Sequence, residues 1–108
     1  MQYFVDVHQR QIRLTSELLN HIESNHPEMR QQLPKIKEAL KTPDVIIAPR
    51  FDSSLELNYK HYNTIPVTQK YICVVVKVSQ DDLFVITAYF TDSFKKGEIL
   101  WEIPPHEK

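Results

Sequence analysis

The apolar spacing of this chain changes period once, at Pro43, and does not change back. Before it, Leu18, Leu19 and Ile22, then Ile36, Ala39 and Leu40, recur at helical intervals. After it come V-I-I-A, L-E-L-N-Y-K-H-Y, Y-I-C-V-V-V-K-V and L-F-V-I-T-A-Y-F-T, all with strand character. Segregated signals of this kind predict an α+β fold, with N-terminal helices laid over one face of an antiparallel sheet. The short S-Q-D-D connection between Val78 and Leu83 predicts a hairpin, so the two long strands should be neighbours at the sheet's centre.

Local signals place the helix ends. Thr15 or Ser16 can cap a helix that runs to about Asn25, with Glu17 in the first turn where the macrodipole favours it. Pro27 suits the first turn of a second helix, and Pro34 should break Glu28 to Thr42 into two pieces meeting at an angle. V-D-V and I-R-L in the first fourteen residues read as one or two short strands of unassigned register. The tail P-P-H-E-K reads as loose.

Size and composition narrow the function. A chain of 108 residues makes one domain, 1–108, that buries roughly two thirds of its unfolded surface and needs no metal or disulfide to fold. Its net charge of −1 announces no nucleic-acid or membrane partner, so any such partner must be met by a local patch. Cys73 is the single cysteine, which excludes an internal disulfide and favours a reducing compartment, the cytoplasm by default. The longest apolar run, Tyr71 to Val76, falls far short of the ~20 residues of a spanning helix. Gly97 is the single glycine, which removes Gly-rich phosphate loops, the dinucleotide fingerprint and the nucleophile elbow.

The two long strands each have two faces. Alternation sets Phe84, Ile86, Ala88 and Phe90 on one side of the last one and Thr87, Tyr89 and Thr91 on the other. In its neighbour, Ile72, Val74, Val76 and Val78 oppose Tyr71, Cys73, Val75 and Lys77. With the apolar sets beneath the helices, Tyr71 and Lys77 share an open face with the hydroxyl row. In the strand before, either Glu56, Asn58, Lys60 and Tyr62 or Leu57, Tyr59 and His61 join that face, and the apolar Leu55 and Leu57 favour the first set as outward.

His21 and His26 are the nearest pair of candidate catalysts. Five residues apart on a helix, they point about 140° from one another, which suits no shared metal, and His61 or Glu28 would have to complete one by tertiary accident. Each has a plain alternative: His26-Pro27-Glu28 is a corner where an imidazole satisfies free backbone groups, and His21 pairs with Glu17 at helical spacing. Threonine and tyrosine are also ordinary strand formers, Lys95-Lys96-Gly97 is an ordinary turn as well as a possible anion-binding rim, and Trp101 reads as packing. Cys73 reads as buried and inert.

H-I-E-S-N-H-P-E at His21 to Glu28, L-K-T-P-D-V-I at Leu40 to Ile46, and V-I-T-A-Y-F-T-D-S-F-K-K-G-E-I-L-W at Val85 to Trp101 together resemble the phage-associated branch of the barnase, EndoU, colicin E5/D and RelE-like nucleases. The resemblance runs in order from about Ile12 to Trp101. It implies helices on a four- to five-stranded antiparallel sheet and RNA cleavage without metal or cofactor. It implies RNA as partner, with transfer RNA among the targets, and a cognate inhibitor protein for a toxin-like effector. Carried over by motif, the candidate catalytic set is His21, His26, Thr87, Tyr89 and Thr91.

The chemistry asks for a base on the ribose 2′-hydroxyl, an acid for the leaving 5′-oxygen and donors for the charge on phosphorus. A histidine suits acid or base, Tyr89 a phosphate contact or proton donation, and Thr87 and Thr91 hydrogen bonds to phosphate. Physical reasoning adds Lys77, Lys95 and Lys96 for charge, with Lys60 beside them, and Tyr62 or Tyr71 to stack a splayed base. A non-catalytic RNA- or protein-binding domain of the same fold is the main alternative, and an interaction protein with no site is the third. The enzyme reading expects His21 or His26 within reach of Tyr89 and Thr87 across a cleft.

Overall fold

A computed structural model describes residues 1–63 and 70–104. Its elements are β1 (Gln2–Val5), β2 (Gln11–Leu14), α1 (Ser16–Asn25), a 3-10 turn (Pro27–Met29), α2 (Leu33–Lys41), β3 (Val45–Pro49), β4 (Leu55–His61), β5 (Tyr71–Val78), β6 (Leu83–Thr91) and β7 (Gly97–Glu102). Among the described residues the strands form one seven-stranded sheet in the order β1-β2-β6-β5-β4-β3-β7. Its pairs are antiparallel except β2 with β6, which run parallel and meet at Arg13 and Phe84.

This corrects the expected fold class. The chain is mostly sheet, and mixed, with two short helices, in place of helices packed on a four- to five-stranded antiparallel sheet. Two additions make the difference. The first fourteen residues form a hairpin that joins the sheet through its parallel edge. Gly97–Glu102 pairs with β3 as the far edge, where Ile99 is 56 % exposed and no alternation marks the strand.

Thr15 caps α1, its Oγ1 accepting from the Leu18 N–H at 3.1 Å, and α1 stops at His26 because Pro27 follows. Pro34 lies in the first turn of α2, where a missing N–H costs nothing, so the break falls earlier, at Gln31 with φ 65°. The looseness expected of the tail falls mainly on residues 105–108, outside those described.

Two apolar clusters sandwich the sheet. Ile22, Met29, Ile36 and Leu40 of the helical segments bury against Ile72, Val74, Val76, Val85 and Ala88, with Phe4, Ile12 and Leu14 of the N-terminal hairpin completing that side. On the other side Val45, Ile47, Leu57, Tyr59, Cys73 and Val75 form a second cluster, joined by Ile86 and Tyr89. Apolar residues therefore mark both faces, and they mislead in β4. Leu57 and Tyr59 pair with Val75 and Cys73 on the second cluster, while Glu56, Asn58 and Lys60 pair with Val76, Val74 and Ile72 on the helix side. The favoured orientation of β4 is thus reversed.

The polar groups carried inward are satisfied. Asn58, 2 % exposed, donates from Nδ2 to the Val74 and Glu56 carbonyls at 3.4 Å. Glu56 accepts from Arg10 at 2.6 Å, and Arg10 also grips Asp6, whose Oδ1 takes the His8 and Arg10 N–H groups at 3.0 and 2.8 Å. This network ties the β1–β2 turn to the start of β4.

Alternation in β6 also fails at one point. Val75 pairs with Thr87 but Val76 pairs with Val85, so Ile86 is an extra residue in a β-bulge. Val85 enters the helix-side cluster with Ala88 and Phe90, while Ile86 packs against the other. Phe84 leaves the expected set and lies under the Arg13 guanidinium, 5.2 Å from ring centre to Cζ.

Gly97 is required by the β3–β7 pairing. A Cβ there would lie 2.0 Å from the Ala48 carbonyl oxygen, so β7 would have to move off its partner. Gly97→Ala should destabilise the protein by about 1–3 kcal/mol, the usual cost of overpacking, seen as an earlier urea midpoint. An unchanged midpoint would mean that β7 adds nothing to the sheet's stability.

Candidate active site

The second face of the sheet carries three rungs across β4, β5 and β6: Leu57, Val75 and Thr87; Tyr59, Cys73 and Tyr89; His61, Tyr71 and Thr91. The middle rung continues past the sheet to the corner after α1. There the His26 N–H closes the helix on the Ile22 carbonyl at 2.8 Å, and its own carbonyl accepts from Met29 at 2.8 Å. With its backbone held on both sides, the imidazole sits with its centre 5.7 Å from the Tyr89 ring centre, at an interplanar angle of 33°. Glu28 Oε2 lies 3.8 Å from Nδ1.

Tyr89 is half-buried and neighbours Cys73 across the sheet, as Tyr59 does on the other side. Burial, followed by the nearby sulfur, holds both phenols well above the ordinary tyrosine value. Burial likewise pushes the Cys73 thiol up to about 12, so it stays protonated and unreactive. Tyr59 is fully buried, and its hydroxyl accepts the Lys95 N–H at 3.0 Å. That bond pins the segment after β6 to the face, where Phe94 packs on Tyr59 at 4.5 Å and on Tyr71 at 4.9 Å.

A family model described as phage-Barnase-EndoU-ColicinE5/D-RelE like nuclease2 matches residues 1–102. The chain belongs to this nuclease family. Comparison with curated proteins and with solved structures gave no match. A nuclease of the barnase/EndoU superfamily acts on nucleic acid, so the groups that can face one are those to locate.

His26 and Tyr89 are brought together, with Thr87 and Thr91 one rung to either side. His21 is elsewhere: it bonds Asn25 at 2.9 Å, rather than Glu17, and lines a separate groove of about 450 Å³ with Arg13 and Phe84. Thr91 Oγ1 is engaged in the turn that follows, with the Ser93 N–H at 3.3 Å and the Ser93 carbonyl at 3.2 Å. Lys77 and Tyr71 share the face of the hydroxyl row, but the Lys77 ammonium is held by Ser54 and lies 3.6 Å from Asp52. Lys60 lies on the opposite face and spends Nζ on the Thr42 carbonyl and hydroxyl at 2.8 and 3.1 Å. Tyr62 bonds Glu38 beside α2.

Lys95 and Lys96 are exposed, and the Arg50 N–H to Lys96 carbonyl bond at 3.1 Å sets the exposed Arg50 and Phe51 beside them. Sequence reasoning missed Arg50 as a partner of this turn. It also missed Phe94, and it left His61 on the less favoured face of β4 or as a metal ligand by tertiary accident; the place of His61 on a rung with Tyr71 and Thr91 could be read only once β4 was turned over. Among the described residues no three His, Cys, Asp or Glu side chains come together as metal ligands, and no helix is long and apolar enough to cross a membrane.

Raised values of Tyr59, Tyr89 and Cys73 couple the site to stability. Each group holds its proton more tightly folded than unfolded, so its contribution is complete below the unfolded value and lost above it. Urea unfolding across pH should show stability falling from about pH 9, where the unfolded thiol ionises. In Cys73→Ala the fall should start near pH 10, the unfolded tyrosine value, from a lower plateau. Superimposable pH profiles would mean that the thiol is not desolvated.

Proposed function

We propose that this nuclease is an endoribonuclease that cleaves without a metal, using the ribose 2′-hydroxyl as nucleophile. The observation that carries it is the His26–Tyr89 contact, which sets an imidazole beside a phenol that stays protonated, in a chain of the nuclease family. Glu28 lies on the Nδ1 side of His26, leaving Nε2 to exchange a proton with the substrate. Tyr89, with its proton held by burial, serves as hydrogen-bond donor and not as base. Thr87 offers a hydroxyl on one side, Thr91 on the other would do so by leaving its bonds to Ser93, and Lys95 and Lys96 supply charge toward the phosphate. A protein free to cut transfer RNA or other cellular RNA would act as a toxin-like effector, and a cognate inhibitor would cover this face.

A second reading, an RNA- or protein-binding domain without catalysis, draws support from the engagement of Lys60, Lys77 and Thr91 within the protein. Cleavage decides between them. Folded protein in EDTA should cut RNA to products ending in 2′,3′-cyclic phosphate and leave DNA of the same sequence whole. His26→Ala should lower kcat by roughly 10²- to 10⁴-fold, and Tyr89→Phe by about tenfold or more. RNA left intact, or His26→Ala cutting at the normal rate, would remove the catalytic assignment.

A further inference from the structure

We infer that the groove walled by His61, Tyr71 and Phe94 is a subsite for one unpaired nucleobase, selective for bases that carry an exocyclic amino group. The inference rests on the RNA-cleaving reading and extends it to the base. The groove has a volume of about 460 Å³, the scale of a small-ligand site. Part of the lining is aromatic. His61 and Tyr71 meet at 5.2 Å and 69°, Tyr71 and Phe94 at 4.9 Å and 63°, so the rings stand edge to face rather than stacked on each other. Phe94 is 45 % exposed, which leaves apolar ring surface for a base to cover.

The rest of the lining decides what part of a nucleotide fits. It carries two carboxylates, Asp44 and Glu102, while the neighbouring Lys60 ammonium is spent on Thr42. Carboxylates repel a phosphate and accept from N–H groups, so the groove suits the base edge and not the backbone. Asp44 is rigidly held: its Oδ2 accepts the His61 N–H at 2.7 Å, its N–H donates to Tyr59 at 2.8 Å, and its carbonyl accepts from Ile103 at 3.0 Å. A fixed acceptor in the same groove as flat rings can read an amino group without paying to order it.

Position links the groove to the proposed chemistry. Tyr71 pairs with Thr91, and Thr91 is two residues, about 7 Å, along β6 from Tyr89. A base in the groove and a phosphate at His26 and Tyr89 then belong to the same or adjoining nucleotides.

The test uses 2′-O-methyl tetranucleotides of A, C, G and U, which resist the proposed cleavage, and reads binding by fluorescence anisotropy. A, C and G should bind more tightly than U. Phe94→Ala should weaken all four by about tenfold, with Phe94→Leu retaining apolar packing yet showing the same loss of stacking. Glu102→Gln should weaken A, C and G and leave U within twofold. His26→Ala should weaken all four tetranucleotides alike and keep the preference for A, C and G over U, so a failed catalytic assignment and a failed base subsite give different results. No binding by any tetranucleotide, folded Phe94 variants that bind normally, or equal effects of Glu102→Gln on all four would overturn the proposal.

Discussion

The whole arrangement turns on one unpaired residue in β6. Had Ile86 stayed in register, the strand would send Phe84, Ile86, Ala88 and Phe90 to the helix side and nothing would interrupt its alternation. The bulge lets Val85 and Ala88 both enter the helix-side core and hands Ile86 to the other cluster. It also separates two jobs along one strand. Before it, Phe84 pairs with Arg13 and makes the parallel join to the N-terminal hairpin; after it, Tyr89 pairs with Cys73 and meets His26.

The second face is consequently neither a core nor an open surface. Leu57, Val75 and Cys73 give it an apolar floor, so the polar groups standing on it are desolvated and their protons tightly held. A nuclease with a net charge of −1 cannot rely on global attraction to nucleic acid. What it has are local features: exposed Arg50, Lys95 and Lys96 on adjoining turns, aromatic rings of His61, Tyr71 and Phe94, and the histidine at the corner. The Tyr59 bond to the Lys95 N–H joins these, since the buried phenol fixes the segment that bears both a ring and the charges.

Much of the local structure was legible because single residues enforce it. Thr15 and Pro27 bound α1, and the bounds of β6 coincide with the L-F-V-I-T-A-Y-F-T run. The grouping of Thr87, Tyr89 and Thr91 with Tyr71 followed from alternation beyond the bulge, and that of Lys77 from the unbroken alternation of β5. The failures have physical causes of another kind. β7 is an edge strand whose Ile99 and Leu100 face water, so burial leaves no period to read. The orientation of β4 could not be chosen from apolar residues when both faces are apolar, and that choice concealed His61. The proximity of His26 to Tyr89, rather than His21, depends on where α1 ends against the edge of β6, a tertiary fact with no short-range signal.

The most direct measurement is the amide chemical-shift response of the labelled protein to a 2′-O-methyl RNA tetranucleotide. Shifts concentrated on His26, Thr87, Tyr89, Thr91, Tyr71 and the Phe94 to Lys96 segment are the result expected if the second face is where RNA is held and cut. Shifts confined to the groove of Arg13, His21 and Phe84, or none on β6 beyond the bulge, would contradict it.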